Sequence, residues 1–255
     1  MKKAIIFILI LCSGASAFDG ADFMLNADLY NPLNGGFSFY SDCHNNSMSA
    51  VFRNARLYDI KELDWSFIGA RAGLAGNNLT ICFRDYGVNK LYGSTVFSLA
   101  LDRQLTAGLT AGLGYTRQAI EYGDGLVNQN YNLFCLKAGY RVTQVAFGAS
   151  INNLSFSTRD YNNDPELTFS VGWQADEILN IFSVYHTDRN GHARFTLGQF
   201  LQLNDYVRIN LGLLNSPEVY YAGFEVVYNR FVFGYTIFDI GGLPDCSLIT
   251  LSYRR

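Results

Sequence analysis

The sequence is short of proline, of charge and of histidine, and each shortage excludes something. Four prolines in 255 residues leave long stretches free of the one residue that cannot donate to a β-ladder. After the first 17 residues no apolar run reaches 18, which argues against a helical membrane protein. Charged residues make up 16% of the chain and the formal net charge is −3, so no basic surface for nucleic acid is in prospect. The three histidines are His44, His186 and His192. A phospholipase or protease of the His-dependent kind needs a His beside a Ser or an acid. The stretch His186-Thr-Asp188-Arg-Asn-Gly191-His192 reads first as a hairpin turn with a His at each shoulder. No CxxC or Cys/His spacing marks a metal. The glycines of 108–114 precede no helix pattern and so form no phosphate loop. The expectation is a protein without enzymatic activity, metal or cofactor.

What is plentiful is Gly, Tyr and Phe, at 24, 17 and 20 residues. The stretch Thr106–Gln118 shows how they are used. With period two, Ala107, Leu109, Ala111, Leu113 and Tyr115 share one face, and Thr106, Gly108, Thr110, Gly112, Gly114 and Thr116 the other. A helix this rich in Gly would lose about 1 kcal/mol at each one relative to Ala. Alternation also keeps the mean hydropathy near zero, at +0.05, as it does in membrane β-barrels.

Residues 1–17 have the form of a secretory signal peptide: Lys2-Lys3, apolar Ala4–Leu11, then Ala15-Ser16-Ala17. Export leaves Cys43, Cys82, Cys135 and Cys246. An even number permits disulfides, Cys43–Cys246 among them. Cys82 and Cys135 read as ordinary strand residues among apolar neighbours. Residues 18–62 alternate poorly and gather turn-formers, as in Asn31-Pro32-Leu33-Asn34-Gly35-Gly36 and Ser41-Asp42-Cys43-His44-Asn45-Asn46. They are expected to form an irregular luminal or periplasmic segment, a plug or hatch.

From 63 to 255 the alternation becomes regular. It predicts strands near 63–72, 78–86, 93–101, 105–120, 127–141, 144–156, 165–176, 178–187, 193–203, 206–214, 219–228, 231–240 and 245–254. Connections near 102–104, 141–144, 174–177, 203–205 and 229–230 are short. Those near 87–92, 121–126, 157–164, 188–192 and 241–244 are longer or richer in Gly, Asn and Asp. Such alternation is the habit of outer-membrane barrels, which have an even strand number. Thirteen strands therefore imply twelve or fourteen. Fourteen is favoured, with one more strand within 33–58.

In this pattern the chain resembles the FadL/PorV-like outer-membrane barrels, a group with many uncharacterised members. Gly35-Gly36, Asp42 and Arg53-Asn54-Ala55-Arg56-Leu57 stand where that group has Gly-Gly, an Asp-containing stretch and Asn-Pro-Ala-Gly-Leu; here the Pro is missing. Ile151-Asn152-Asn153-Leu154 is similar to its strand-ending Asn-Leu. Ser247–Arg254 resembles its closing strand, although this chain ends in Arg254-Arg255 instead of Arg-Phe. The resemblance implies an antiparallel transmembrane β-barrel of 12–14 strands in a bacterial outer membrane. It also implies transport of hydrophobic or small solutes, or an accessory role holding exported or membrane proteins. A structural barrel with a filled lumen is the third reading. Expected partners are outer-membrane lipid and either a hydrophobic ligand or a protein.

Within this frame Arg208 faces the lumen opposite Glu225 on the next strand. Arg194 points the same way, and Arg84 and Lys137 join them. A charge facing lipid at mid-depth would cost about 2–4 kcal/mol, so the lumen is the cheaper place. These five residues are the candidate site: either a polar network that stiffens the barrel, or a constriction that contacts solute.

Overall fold

The computed structural model describes residues 48–57, 63–74, 76–88, 92–122, 129–155, 165–187, 191–215, 218–241 and 244–254. Among them there is no helix. The proposed signal peptide, Cys43, His44 and residues 18–47 lie outside the described residues. The strands are β1 (Met48–Arg56), β2 (Leu63–Leu74), β3 (Asn77–Val88), β4 (Tyr92–Thr106), β5 (Leu109–Tyr122), β6 (Gln129–Val142) and β7 (Val145–Leu154). They continue as β8 (Glu166–Gln174), β9 (Leu179–Thr187), β10 (Ala193–Gln202), β11 (Val207–Asn215), β12 (Glu218–Tyr228), β13 (Phe231–Asp239) and β14 (Cys246–Arg254). Each pairs antiparallel with its sequence neighbours, and β1 pairs with β14 from Ser49↔Arg254 to Arg56↔Ser247. The sheet is a closed barrel of fourteen strands.

The fourteenth strand is β1, so the barrel begins at Met48, inside the stretch 18–62 whose composition argues for a separate segment. Hydrophobicity hides this strand. Its inward positions Ser49, Val51, Arg53 and Ala55 mix apolar with charged, and its outward positions Phe52, Asn54 and Arg56 do so too. A second correction concerns the first hairpin of the central region. Strand β4 runs on through Asp102 to Thr106, and the turn is Ala107–Gly108, not 102–104. Gly108 adopts a φ of +86°, which suits glycine. It is therefore a turn residue, and the inward face of β5 begins at Thr110.

Period two sorts the side chains. Leu99, Leu101, Leu113, Leu136, Phe147, Phe169, Val171, Phe224, Phe233 and Leu251 all point outward and are exposed. Most outward charges sit within four residues of a strand end: Arg56, Asp64, Asp85, Glu121, Glu218 and Asp239 at one rim, Arg103 at the other. At the rim of the short turns, Tyr140, Trp173, Tyr206, Tyr228, Phe231 and Tyr253 form a ring of outward aromatics. An apolar belt bounded by aromatics and charges is the exterior of a membrane-spanning barrel. Strands of 9–15 residues are long enough, since about 9–11 tilted residues cross a bilayer.

Even-to-odd connections are tight, at Gly76, 107–108, 143–144 and 229–230, with four residues in each of the others, 175–178 and 203–206. The other rim carries most of the longer loops. Residues 216–217 depart from the rule by joining β11 to β12 with two residues. In β7, Asn153 has a φ of +59°. There the β6–β7 register slips between Phe134 and Leu136, a bulge that falls in the Asn-Asn-Leu stretch.

Candidate functional site: the inner wall

Register carries one line of inward positions across nine consecutive strands. From β2 to β10 it reads Gly73, Asn78, Asp102, Gly112, Lys137, Ser150, Thr168, His186 and Arg194. Every one of the nine is polar or glycine. At its centre Lys137 Nζ lies 2.9 Å from Asp102 Oδ1, with side chains 1% and 6% exposed, and donates to Oδ2 at 3.2 Å. The partners are two strands apart. Gly112 between them is what lets them meet: Asp102 lies over it where a Cβ would stand. Further along the line, Thr168 Oγ1 and His186 Nδ1 share a hydrogen bond of 2.9 Å. Glu166 Oε2 is 4.0 Å from His186 Nε2, and Asn152 donates to Ser150 Oγ at 3.1 Å.

A second line holds four more of the inward charges. It reads Gln202, Arg208, Glu225, Gly234, Thr250, Arg53, Phe67 and Arg84. Arg208 Nη1 is 3.1 Å from Glu225 Oε2, and its Nε donates to Gln202 Oε1 at 3.0 Å. This pair is partly exposed, unlike Asp102–Lys137.

An apolar patch adjoins these lines. Phe182, Val184, Phe200, Leu214, Val219, Tyr221, Phe238, Ile240, Cys246 and Leu248 form one buried cluster with Ala55, Leu57, Trp65 and Phe67. Glycine serves here as it does beneath Asp102. Phe182, Gly198, Gly212 and Tyr221 are in register on β9–β12, and both rings lie down over the two glycines. Phe182 stacks on Phe200 at 5.7 Å and Tyr221 meets Phe238 at 5.7 Å. Gly112 and Gly212 thus admit neighbouring side chains instead of leaving space.

All five candidates, Arg84, Lys137, Arg194, Arg208 and Glu225, lie on the inward face, and Arg208 stands directly opposite Glu225. The structure joins Arg208 with Glu225 but gives Lys137 a different partner, Asp102, which the sequence reading placed in a turn. Arg53, Arg71 and Glu166 were not foreseen; charges at inward positions of alternating strands were the available signal. Among the described strands the inward face carries eight cations, Arg53, Arg71, Arg84, Lys137, Arg141, Arg194, Arg208 and Arg254. Against them stand three acids, Asp102, Glu166 and Glu225. Cys82 and Cys135 are free thiols on this wall, and Cys246 is buried in it. Among the described residues no His, Cys, Asp and Glu cluster in a way that could hold a metal.

No family model matches the chain, and no curated protein matches it. Solved structures do. Two engineered variants of the Rhodopseudomonas blastica porin, one with five substitutions and one with three, each superpose with a TM-score of 0.50. Sequence identity is 8% and 7%, and each match covers 82% of this chain and 99% of the porin. The barrel is porin-like in fold. At such identity the porin-like likeness is one of architecture, and the chemistry of the wall has to be read from this chain's own residues.

Proposed function

We propose that the chain is an outer-membrane barrel that carries solutes across the membrane, and that its preferred solutes are small or amphipathic anions. The observation that supports this most is the asymmetry of the two faces: an apolar belt outside, and inside a wall where cations outnumber acids beside an apolar, aromatic patch. A ring of cationic side chains favours anions, and the aromatic patch offers contact to an apolar body. The FadL-like resemblance points the same way, to hydrophobic solutes. Reconstitution in planar bilayers is the test. The mature protein should show anion-over-cation selectivity in a KCl gradient, reduced when Arg53 and Arg71 are changed to Glu. A protein that passes neither ions nor solutes in any state would end this reading.

The PorV-like alternative, an accessory barrel holding an exported or membrane protein, draws support from the deep burial of the wall. Native mass spectrometry of the protein gently extracted from its own membrane separates the two. A bound hydrophobic ligand of defined mass supports the conduit, and a stoichiometric polypeptide the accessory role.

A further inference from the structure

One outward charge breaks the pattern of the exterior. The others on the described strands lie no more than three residues from a strand end, whereas Arg117 stands five residues short of Tyr122 on β5. Counted from Leu109 it is eight residues up the wall. At about 3.4 Å per residue and a tilt of about 40° that is about 21 Å, near the top of a belt about 25 Å tall. Its guanidinium therefore meets the membrane where acyl chains give way to headgroups, on the side of the long-loop rim that outer-membrane barrels turn outward.

The surroundings of Arg117 divide into hydrogen-bond donors and apolar groups. Phe97 and Asn132 stand directly opposite it on β4 and β6, and Asn130 and Phe134 flank Asn132 on the same outward face. Tyr115 rests against Phe134 with ring centroids 5.5 Å apart, and its hydroxyl donates to Asn132 Oδ1 at 2.6 Å. That bond fixes the amide and leaves its two N–H donors without a partner among the described residues. Beside and below them Phe97, Leu99, Leu113, Phe134 and Leu136 are all exposed. No carboxylate answers the cation: among the described residues Arg117 makes no ion pair. Glu121 is four residues nearer the tip of β5, and Asp85, two strands away, already accepts from Thr95 Oγ1 at 3.0 Å.

We infer that Arg117, Asn130 and Asn132 form an exterior site for the phosphate of an outer-leaflet lipid, whose acyl chains lie on the apolar floor below. Charge and hydrogen bonding are complementary. The guanidinium presents a fork of N–H groups that matches a phosphate, and the amides add further donors to a group rich in acceptors. An arginine that only reached for water would need neither an amide held in place by Tyr115 nor an apolar floor beneath it. The site is on the outside of the barrel, so it stands whether or not the barrel conducts.

The test titrates the complete mature protein in detergent with diphosphorylated lipid A, read by native mass spectrometry, with folding checked by heat-dependent gel mobility. One lipid per barrel is expected. Arg117→Gln should weaken its binding by about tenfold, the loss of a charge-assisted bidentate contact. Arg117→Lys, which keeps the charge and loses the fork, should weaken it by about threefold. Arg103→Gln removes an outward cation at the opposite rim and should change nothing. Unaltered binding in Arg117→Gln overturns the inference, and so do equal losses from Arg117→Gln and Arg103→Gln, which would mean general attraction to the belt. Dephosphorylated lipid A binding as well as the diphosphorylated form removes the phosphate from the argument. Inorganic phosphate binding as tightly as the lipid would make this a site for a free anion and overturn the lipid assignment.

Discussion

The two arcs of the inner wall use one backbone device for opposite chemistries. On the polar arc Asp102 lies across Gly112 to reach Lys137. On the apolar arc Tyr221 and Phe182 lie across Gly212 and Gly198. In both, glycine lets large groups meet over the backbone, one glycine on the single strand between in the polar arc and two on the two strands between in the apolar arc. The difference lies in what happens when a partner is lost. A buried ion pair fails abruptly, since an unpaired charge in a dry site is costly. An aromatic cluster loses contact area in proportion to what is removed. The polar arc should therefore be the less tolerant of substitution.

The largest expected effect falls on the polar arc. Lys137→Met should destabilise the barrel by about 3–5 kcal/mol by stranding Asp102, and adding Asp102→Leu should recover much of that loss. Urea unfolding followed by tryptophan fluorescence measures both; a double variant no better than the single would break the contrast. Next comes the glycine that Tyr221 lies across. Gly212→Val should cost about 1–3 kcal/mol by pushing Tyr221 off its place. In a double-mutant cycle with Tyr221→Ala that penalty should shrink, and strict additivity would mean the ring does not use the glycine. Phe182→Leu on the apolar arc should cost at most about 1.5 kcal/mol. A loss comparable with Lys137→Met would show that this arc is as brittle as the other. Smallest is Arg208→Gln, at about 1 kcal/mol, because the Arg208–Glu225 pair is partly solvated. Its clearer signature in bilayer recordings is a drop in anion selectivity.

How much of this was legible depends on how cleanly a strand separates its faces. Strands β8 and β11 alternate in type over Glu166–Trp173 and Val207–Leu213, so these stretches are readable, and with them the Arg208↔Glu225 pairing. Strand β1 separates nothing, with Arg53 on one face and Arg56 on the other, and closure of the barrel is the only force that assigns it. Asp102-Arg103-Gln104 looks like a turn because polar residues cluster there. In fact Asp102 faces in and Arg103 faces out near the rim, a period of two written in charges. The apolar arc was hidden for a third reason. Its glycines look like gaps in sequence, and only register shows whose side chains fill them.

The seam between β1 and β14 has a consequence in time. It ties Ser49 to Arg254 and Arg56 to Ser247, contacts separated by nearly the whole barrel. Every other ladder joins sequence neighbours and can form by local zippering, whereas this one carries the largest loop-closure entropy and comes late. Until it forms, two strand edges stand open to any other chain. Closure is therefore expected to be the slow, aggregation-exposed step of assembly, and substitutions in β1 or β14 should slow the gain of heat-modifiable mobility more than equally destabilising ones in β5 or β6.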